Sequence, residues 1–326
     1  MALRLPGVHT LGGVNRDLTL SGFSRLPGAG ETVAGASVRE GAGGKGLNQV
    51  TASARNGSAW TGMIGCVGTD SAGAQLRQAL AKEGINVSRV HIVEGATGTA
   101  VITLDGAGEN RILVADGANA QLRPFHLEGA FAERGNVLQL QLESPMETVI
   151  AAAESARREG LKVVLDAGPA EGPLPLALLR NVDILSPNQS EAATLLGLKD
   201  ASEVNGATVS GVARALQALG PSIVVIKMGG EGAYLLGEGY DEQVVAPVVG
   251  VKDTVGAGDT LTGALSAKYS TLLAARAAGA GLGWDLRDVV RYSTHAAAIA
   301  VTREGAQASI PWEAEVRERY PHLRVS

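Results

Sequence analysis

Short β-type runs alternate with longer helical patterns along most of this 326-residue chain. That alternation constrains the fold more than any single motif does. Residues 7–14 read as a strand, and 46–56 and 71–83 as helices flanking a strand around 60–66. Residues 136–141 and 161–166 are strands separated by a helix over 146–159. A strand at 182–185 leads into a helix beginning near Asn188; 209–219 is helical, and 223–227 is a buried strand. This order predicts an α/β fold: a mostly parallel central sheet between helical layers, in a single domain over 1–326. Two stretches break the alternation. Residues 18–40 and 98–114 carry polar, β-type sequence without an intervening helix, and 99–104 and 110–114 flank a hairpin turn, Asp105-Gly106-Ala107-Gly108. They predict a small β-sheet lid standing off the main sheet. Beyond Val251 the chain turns helical over 258–278, 286–302 and 312–319, with 274–284 as a loose connection.

Composition excludes several functions. With 28 Lys+Arg against 33 Asp+Glu, the net charge of −5 argues against a phosphate-backbone binder, and 3% aromatics argue against a base-stacking platform. Nucleic acid is therefore not an expected partner. A single cysteine, Cys66, allows no internal disulfide, and five histidines without ligand spacing argue against catalytic zinc. No Gly-x-Ser-x-Gly elbow is present, which argues against an α/β-hydrolase. No apolar run approaches the ~18 residues of a membrane span. Residues 1–13 lack the charged start and apolar stretch of a secretory signal. A cytoplasmic protein without a membrane partner is expected.

Six segments carry chemistry. In Gly41-Ala42-Gly43-Gly44-Lys45-Gly46-Leu47-Asn48-Gln49 the glycines let the backbone approach a ligand while Lys45 and Asn48 supply donors at a helix start. A tight strand-to-helix turn explains the glycines equally well. Asn15 and Asp17, two apart at a strand end, suit vicinal hydroxyls, although an Asx turn also fits. Glu143 follows a buried strand, where ligands bind in open α/β sheets; a solvated loop carboxylate is the plainer alternative. Asn188 and Glu191 have capping-box spacing, and the same pair suits the water shell of a phosphate-bound Mg²⁺. The sharpest signal is Asp253-Thr254-Val255-Gly256-Ala257-Gly258-Asp259-Thr260. Small residues at 256–258 bare the N–H groups of a helix start as an anion hole, and Asp259 in the first turn can act as general base. Lys227-Met228-Gly229-Gly230-Glu231-Gly232 ends a further strand in a glycine turn open to a nucleotide, or forms a plain hairpin.

Together these segments resemble the ribokinase family of sugar kinases, the phosphofructokinase-B type, in order and over nearly the whole chain. Gly43-Gly44-Lys45-Gly46-x-Asn48-Gln49 is similar to the N-terminal signature, and Asp253-Thr254-x-Gly256-Ala257-Gly258-Asp259 to the C-terminal one. Asn15-x-Asp17, Gly30-Glu31-Thr32-Val33, Gln141-Leu142-Glu143-Ser144-Pro145 and Val301-Thr302-Arg303-x-Gly305-Ala306-Gln307 match as well. The resemblance implies a three-layer α/β/α fold and ATP-dependent phosphorylation of the 5-hydroxyl of D-ribose. Related kinases of 2-deoxyribose, a ketohexose or adenosine, or a non-catalytic sugar-binding regulator, are the alternatives. By carry-over, Asn15, Asp17, Gly44, Lys45, Asn48 and Glu143 hold the sugar. Asp259 deprotonates the sugar hydroxyl, while the amides of Gly256, Ala257 and Gly258 steady the moving phosphoryl group. Asn188 and Glu191 serve the phosphates and Mg²⁺, and Lys227, Gly229, Gly230 and Gly232 line the nucleotide site. An activating K⁺ matches Asp253, Val255, Ala300, Arg303, Gly305 and Ser309, and the lid implies a homodimer. Several positions depart from the pattern, among them a 274–284 segment longer than typical and a helix before Arg303 shifted near Thr294-His295. Lys227 stands where ribokinases usually carry Thr, and Asp166-Ala167-Gly168-Pro169 replaces Asn-Pro-Ala-Pro. The adenine contact near Thr294-His295 is not defined by the pattern.

Overall fold

Successive side chains of a strand point to opposite faces, and the apolar residues 223–226 of this chain divide between two cores accordingly. Ile223 and Val225 enter one core with Leu261, Leu265 and Val289. Val224 and Ile226 enter the other with Ala152, Ala192 and Leu216. Each such side chain contributes about 1.5–3 kcal/mol by leaving water. A slip of one residue would exchange all four and turn the next residue, Lys227, to the wrong face, so the register is strongly held.

The computed structural model describes residues 4–23, 25–34, 37–104, 110–132 and 134–325. Its strands are β1 (Val8–Leu11), β2 (Asn15–Ser21), β3 (Ser37–Gly43), β4 (Thr61–Gly68), β5 (Asn86–Val93), β6 (Gly98–Leu104) and β7 (Asn110–Ala115), followed by β8 (Val137–Leu140), β9 (Lys162–Leu165), β10 (Ile184–Leu185), β11 (Ile223–Lys227), β12 (Ala233–Gly237) and β13 (Tyr240–Val244). The helices are α1 (Lys45–Arg55), α2 (Ser71–Lys82), α3 (Met146–Arg158), α4 (Leu176–Leu179), α5 (Gln189–Leu196), α6 (Val209–Gln217), α7 (Ala257–Ala277), α8 (Leu286–Ala300) and α9 (Glu313–Arg319).

The main sheet runs β13-β12-β11-β10-β9-β8-β1-β4-β5, parallel from β11 to β5 and antiparallel at β12 and β13. Because β1 lies between β4 and β8, strand order reverses there, and the carboxyl ends of β1, β8, β9, β10 and β11 open along one edge. The second sheet, β3-β2-β6-β7, is the expected lid. It begins at Asn15 and runs to Gly43, beyond the expected 18–40 on both sides. Asn15 and Asp17 therefore lie within a lid strand and not in a turn after the first strand, which ends at Leu11. The expected turn at 105–108 lies outside the described residues. Helix α7 continues to Ala277, so the connection to α8 starts later than 274. No expectation covered β5, an edge strand, or the hairpin β12–β13. Among the described residues no helix is long and apolar enough to cross a membrane.

Candidate active site

Helices α1 and α7 cross at Gly263. A Cβ there would stand 2.4 Å from the Ala52 Cβ and 2.5 Å from the Gln49 carbonyl oxygen, so only glycine allows this approach. The close crossing brings Asn48 and Gln49 to the first turn of α7. Asn48 Nδ2 donates to Asp259 Oδ2 and Gln49 Nε2 to Asp259 Oδ1, both at 2.9 Å. Lys45 Nζ stands 3.9 Å from Oδ1. Burial pushes the Asp259 carboxyl above the usual carboxylate range, against the pull of Lys45. A carboxylate so held is raised toward the range in which it accepts a proton from an alcohol.

Gln49, in the glycine-rich segment, sits at the centre of a buried network that its motif does not announce. Its Oε1 accepts from Gln139 Nε2 and Gln141 Nε2, both at 2.7 Å. Its Nε2 donates at 2.9 Å to Asp166 Oδ2 as well as to Asp259. Asp166 Oδ2 also accepts from Lys227 Nζ at 2.8 Å and Thr262 Oγ1 at 3.1 Å. Burial alone would raise Asp166, but Lys227 and Lys45 outweigh it and hold the carboxyl below its ordinary value. Two departures from the family pattern, Asp166 and Lys227, are thus a single ion pair, with side chains 0% and 9% exposed.

The residues expected to hold a sugar gather around this carboxylate. Gly44 has φ +88°, and a Cβ there would lie 2.7 Å from Gly13 O and 2.9 Å from Asn15 N. The bare backbone lets the loop lie against the start of β2. The Lys45 N–H donates to Glu143 Oε2 at 2.7 Å, and Lys45 is driven further up by the carboxylates around it, against its burial. Burial pushes Glu143 up to about 7 and Asp17 up to about 6, with Asp259 adding to the rise of Asp17. Asn15 is turned by a residue that no motif singled out. Asn119 accepts the Val14 N–H at 3.0 Å through Oδ1 and donates to Asn15 Oδ1 at 2.7 Å through Nδ2. The side-chain carbonyl of Asn15 is thereby occupied, and its amide N–H groups remain for a ligand.

On the other side of Asp259 lies a cavity of 760 Å³, the size of a small-ligand site. Lys45, Asn188, Glu191, Lys227, Gly229, Gly230, Gly232, Gly256, Ala257 and Gly258 all line it, so the whole expected nucleotide set converges. Gly256, at φ +78°, opens α7, whose first N–H groups have no intrahelical partner. Gly258 leaves that end bare beside Lys227, whose Nζ would stand 3.6 Å from a Cβ there. Asn188 and Glu191 form the capping box, with each side chain accepting the other's N–H at 2.8 Å. The turn after β11 is also the plain hairpin into β12. Its role in structure and its place in the cavity coexist. Pro247, Val248, Val251, Ala297 and Val301 make the far wall apolar. Thr294 joins them with its hydroxyl donating to Val290 O at 2.6 Å, whereas the His295 ring packs against Tyr320.

The expected K⁺ set is brought together in part. Asp253 accepts the Val255 N–H at 3.0 Å through Oδ1 and the Gly305 N–H at 2.9 Å through Oδ2. The Arg303 guanidinium turns away to Glu315 at 2.5 Å, leaving only its backbone for such a site. Ser309 Oγ donates to Ala306 O at 2.8 Å, and Ala300 O accepts the Arg303 N–H at 3.0 Å.

A buried carboxylate between the side chains of Asp17 and Glu143 and a cavity bordered by the bare start of α7, on an α/β/α sandwich with a lid, fits a small-molecule phosphotransferase. The pattern of the pfkB family of carbohydrate kinases matches residues 8–313. Ribokinase of Haemophilus influenzae is 34% identical over 96% of this chain and 97% of its own length. That of Schizosaccharomyces pombe is 35% identical, over 95% and 96%. The solved structure of Arabidopsis thaliana ribokinase complexed with ribose and ATP aligns with a TM-score of 0.83 at 30% identity, covering 96% of this chain and 98% of that one. The chain belongs to the pfkB family and is a carbohydrate kinase.

Proposed function

We propose that this carbohydrate kinase transfers the γ-phosphoryl group of ATP to the 5-hydroxyl of D-ribose. The observation that carries the reading is Asp259, clamped by Asn48 and Gln49 between the Asp17 and Glu143 carboxyls on one side and the cavity on the other. The relatives named above support the sugar, and the Arabidopsis complex with ribose and ATP supports both substrates. Asn15 offers donors and Asp17 and Glu143 offer acceptors to the sugar hydroxyls, with Gly44 and Asn48 completing the grip. Asp259 takes the hydroxyl proton, the freed oxygen attacks the γ-phosphorus in line, and the bond to the leaving ADP breaks. Charge gathering on the transferring group meets the N–H groups of Gly256, Ala257 and Gly258 together with Lys45.

Asn188 and Glu191 spend one oxygen each on the cap, which leaves the Asn188 amide N–H groups for a phosphate oxygen and the Glu191 Oε1 to accept from the waters of a phosphate-bound Mg²⁺. Lys227 and the turn of Gly229, Gly230 and Gly232 border the phosphates, and the apolar wall takes the base. The oxygen-rich loops of Asp253, Val255, Ala300, Arg303, Gly305 and Ser309 suit K⁺, held by backbone carbonyls and the Asp253 carboxylate, where it would stiffen the approach to Gly256. Val38 on β3 and Ile112, Leu113 and Val114 on β7 leave apolar surface on the lid edges, which favours pairing of two lids in a homodimer.

The test is release of ADP with Mg·ATP against D-ribose, 2-deoxyribose, fructose and adenosine, each in K⁺ and in Na⁺ buffer. Turnover strongest on ribose and raised by K⁺ is expected. Turnover confined to another acceptor replaces the sugar, and no turnover on any acceptor overturns the reading.

A further inference from the structure

Gln49 spends every polar atom of its amide. Two donors fix its carbonyl oxygen, from Gln139 and Gln141, so the amide cannot flip and its two N–H bonds must face two carboxylates, Asp166 and Asp259. Two buried anions share one amide, with a lysine at each end: Lys227 on Asp166 at 2.8 Å and Lys45 near Asp259 at 3.9 Å. Asp166 Oδ2 accepts from three donors, an arrangement that suits an ionised carboxylate, while its Oδ1 is buried with no partner. A buried carboxylate placed this way makes the neighbouring one harder to ionise unless a cation offsets it.

We propose that Asp166 and Lys227 act as one unit, through Gln49, to position Asp259 and set the electrostatic field at its carboxylate. Asp166 locks the second N–H of Gln49, so the first stays aimed at Asp259. Lys227 offsets the charge that Asp166 brings next to the base. Neither residue touches the sugar hydroxyl in this role; both are positioning residues. The other charged groups facing Asp259 are Lys45 from α1, Asp17 from β2 and Glu143 beyond β8, with Glu191 of α5 reaching it through Lys45. Asp17, Glu143 and Glu191 lie off the Gln49–Asp166–Lys227 path, whereas Lys45 also faces Asp166. Removing Asp166 leaves the Lys45 charge more fully to Asp259, which acts in the same direction as the loss of the anion.

The sign of each change follows. Lys227→Met leaves Asp166 uncompensated beside Gln49, which makes Asp259 harder to ionise. Asp166→Asn removes that anion and leaves Lys227 unpaired nearby, which makes Asp259 easier to ionise. The double variant removes both charges and brings the carboxyl back toward its starting point.

The inference rests on Asp259 as base, and the experiment separates the two. Protein labelled with ¹³C at the aspartate side-chain carboxyl is titrated by NMR, and the Asp259 resonance is the one missing from Asp259→Asn. The expected result is a midpoint raised by roughly half a pH unit or more in Lys227→Met, lowered by a similar amount in Asp166→Asn, and restored in the double variant. If Lys227→Met does not fold, the comparison of Asp166→Asn with the double variant decides, because adding the second change must move the midpoint back up. A midpoint that stays put, or moves the same way in both single variants, overturns the proposal. If Asp259→Asn keeps full turnover, the base assignment itself falls, whatever the titrations show.

Discussion

Asn119 holds Asn15 by its side-chain carbonyl, at 2.7 Å, and in the same stroke accepts the Val14 N–H at 3.0 Å. A residue 104 positions away thus decides which end of the Asn15 amide faces the sugar pocket. Asn119→Asp reverses the polarity, because the new carboxylate accepts from Asn15 and turns the Asn15 carbonyl toward the ligand. The Michaelis constant for ribose should rise by about tenfold or more, the cost of one misdirected hydrogen bond, with turnover at saturating sugar reduced far less. Steady-state kinetics in ribose check the split.

Asp259→Asn keeps the shape and one of the two contacts made by Asn48 and Gln49, but removes the proton acceptor. Turnover should fall by about 10²–10⁴-fold, the span for a general base, while calorimetry still detects ribose binding.

Glu143 and Asp17 rise to about 7 and about 6 through burial, so both protonate as the medium becomes mildly acidic. Ribose affinity should therefore weaken as pH falls through about 7 and on toward 6, measured by calorimetry across that range. Stability has the opposite sign. The folded protein binds these protons more tightly than the unfolded chain, so the two groups lower stability as pH rises through the interval from about 4 to about 7. Glu143→Gln removes its share of that burden. The variant should be more stable than the unmodified protein at pH 8, by an amount on the order of 1–3 kcal/mol, seen as a raised melting temperature, and bind ribose less tightly.

Gly44→Ala places a methyl group against two backbone atoms at 2.7 and 2.9 Å and strains a residue at φ +88°. The start of β2 must move, and Asn15 with it. A lower melting temperature and a ribose Michaelis constant raised by about tenfold or more are expected.

Much of this was readable in the sequence because it was local. The Asp253–Thr260 segment names a helix start, bare N–H groups and a base within eight residues, and 223–227 is apolar up to its last position. The lid hairpin was readable from its flanking β-type runs. What escaped was whatever depends on distant partners or on an edge. Strand β5 lies at a sheet edge, and its exposed Asn86, Ser88 and Ile92 mix polar with apolar surface, which hides the period. The bonds from Gln49 to Asp166 and Asp259 join residues 117 and 210 positions apart, and no local pattern encodes such a meeting. Lys227 looked like an isolated departure for the same reason. Its partner is on another strand end.

Asn15 and Asp17 belong to β2, while Glu143 lies in the loop after β8 and Asp259 in the first turn of α7. Asn15 pairs with Gly43 across the ladder, Asp17 with Gly41, and the two side chains share a face because they are two residues apart. The sugar grip is consequently written as a parity. A change of length in the connection between β2 and β3 leaves that parity untouched, whereas a single residue added between Asn15 and Asp17 would turn one of the two away from the ligand. Over long divergence, the tip of such a lid is free to be rebuilt while the spacing of these two residues is not.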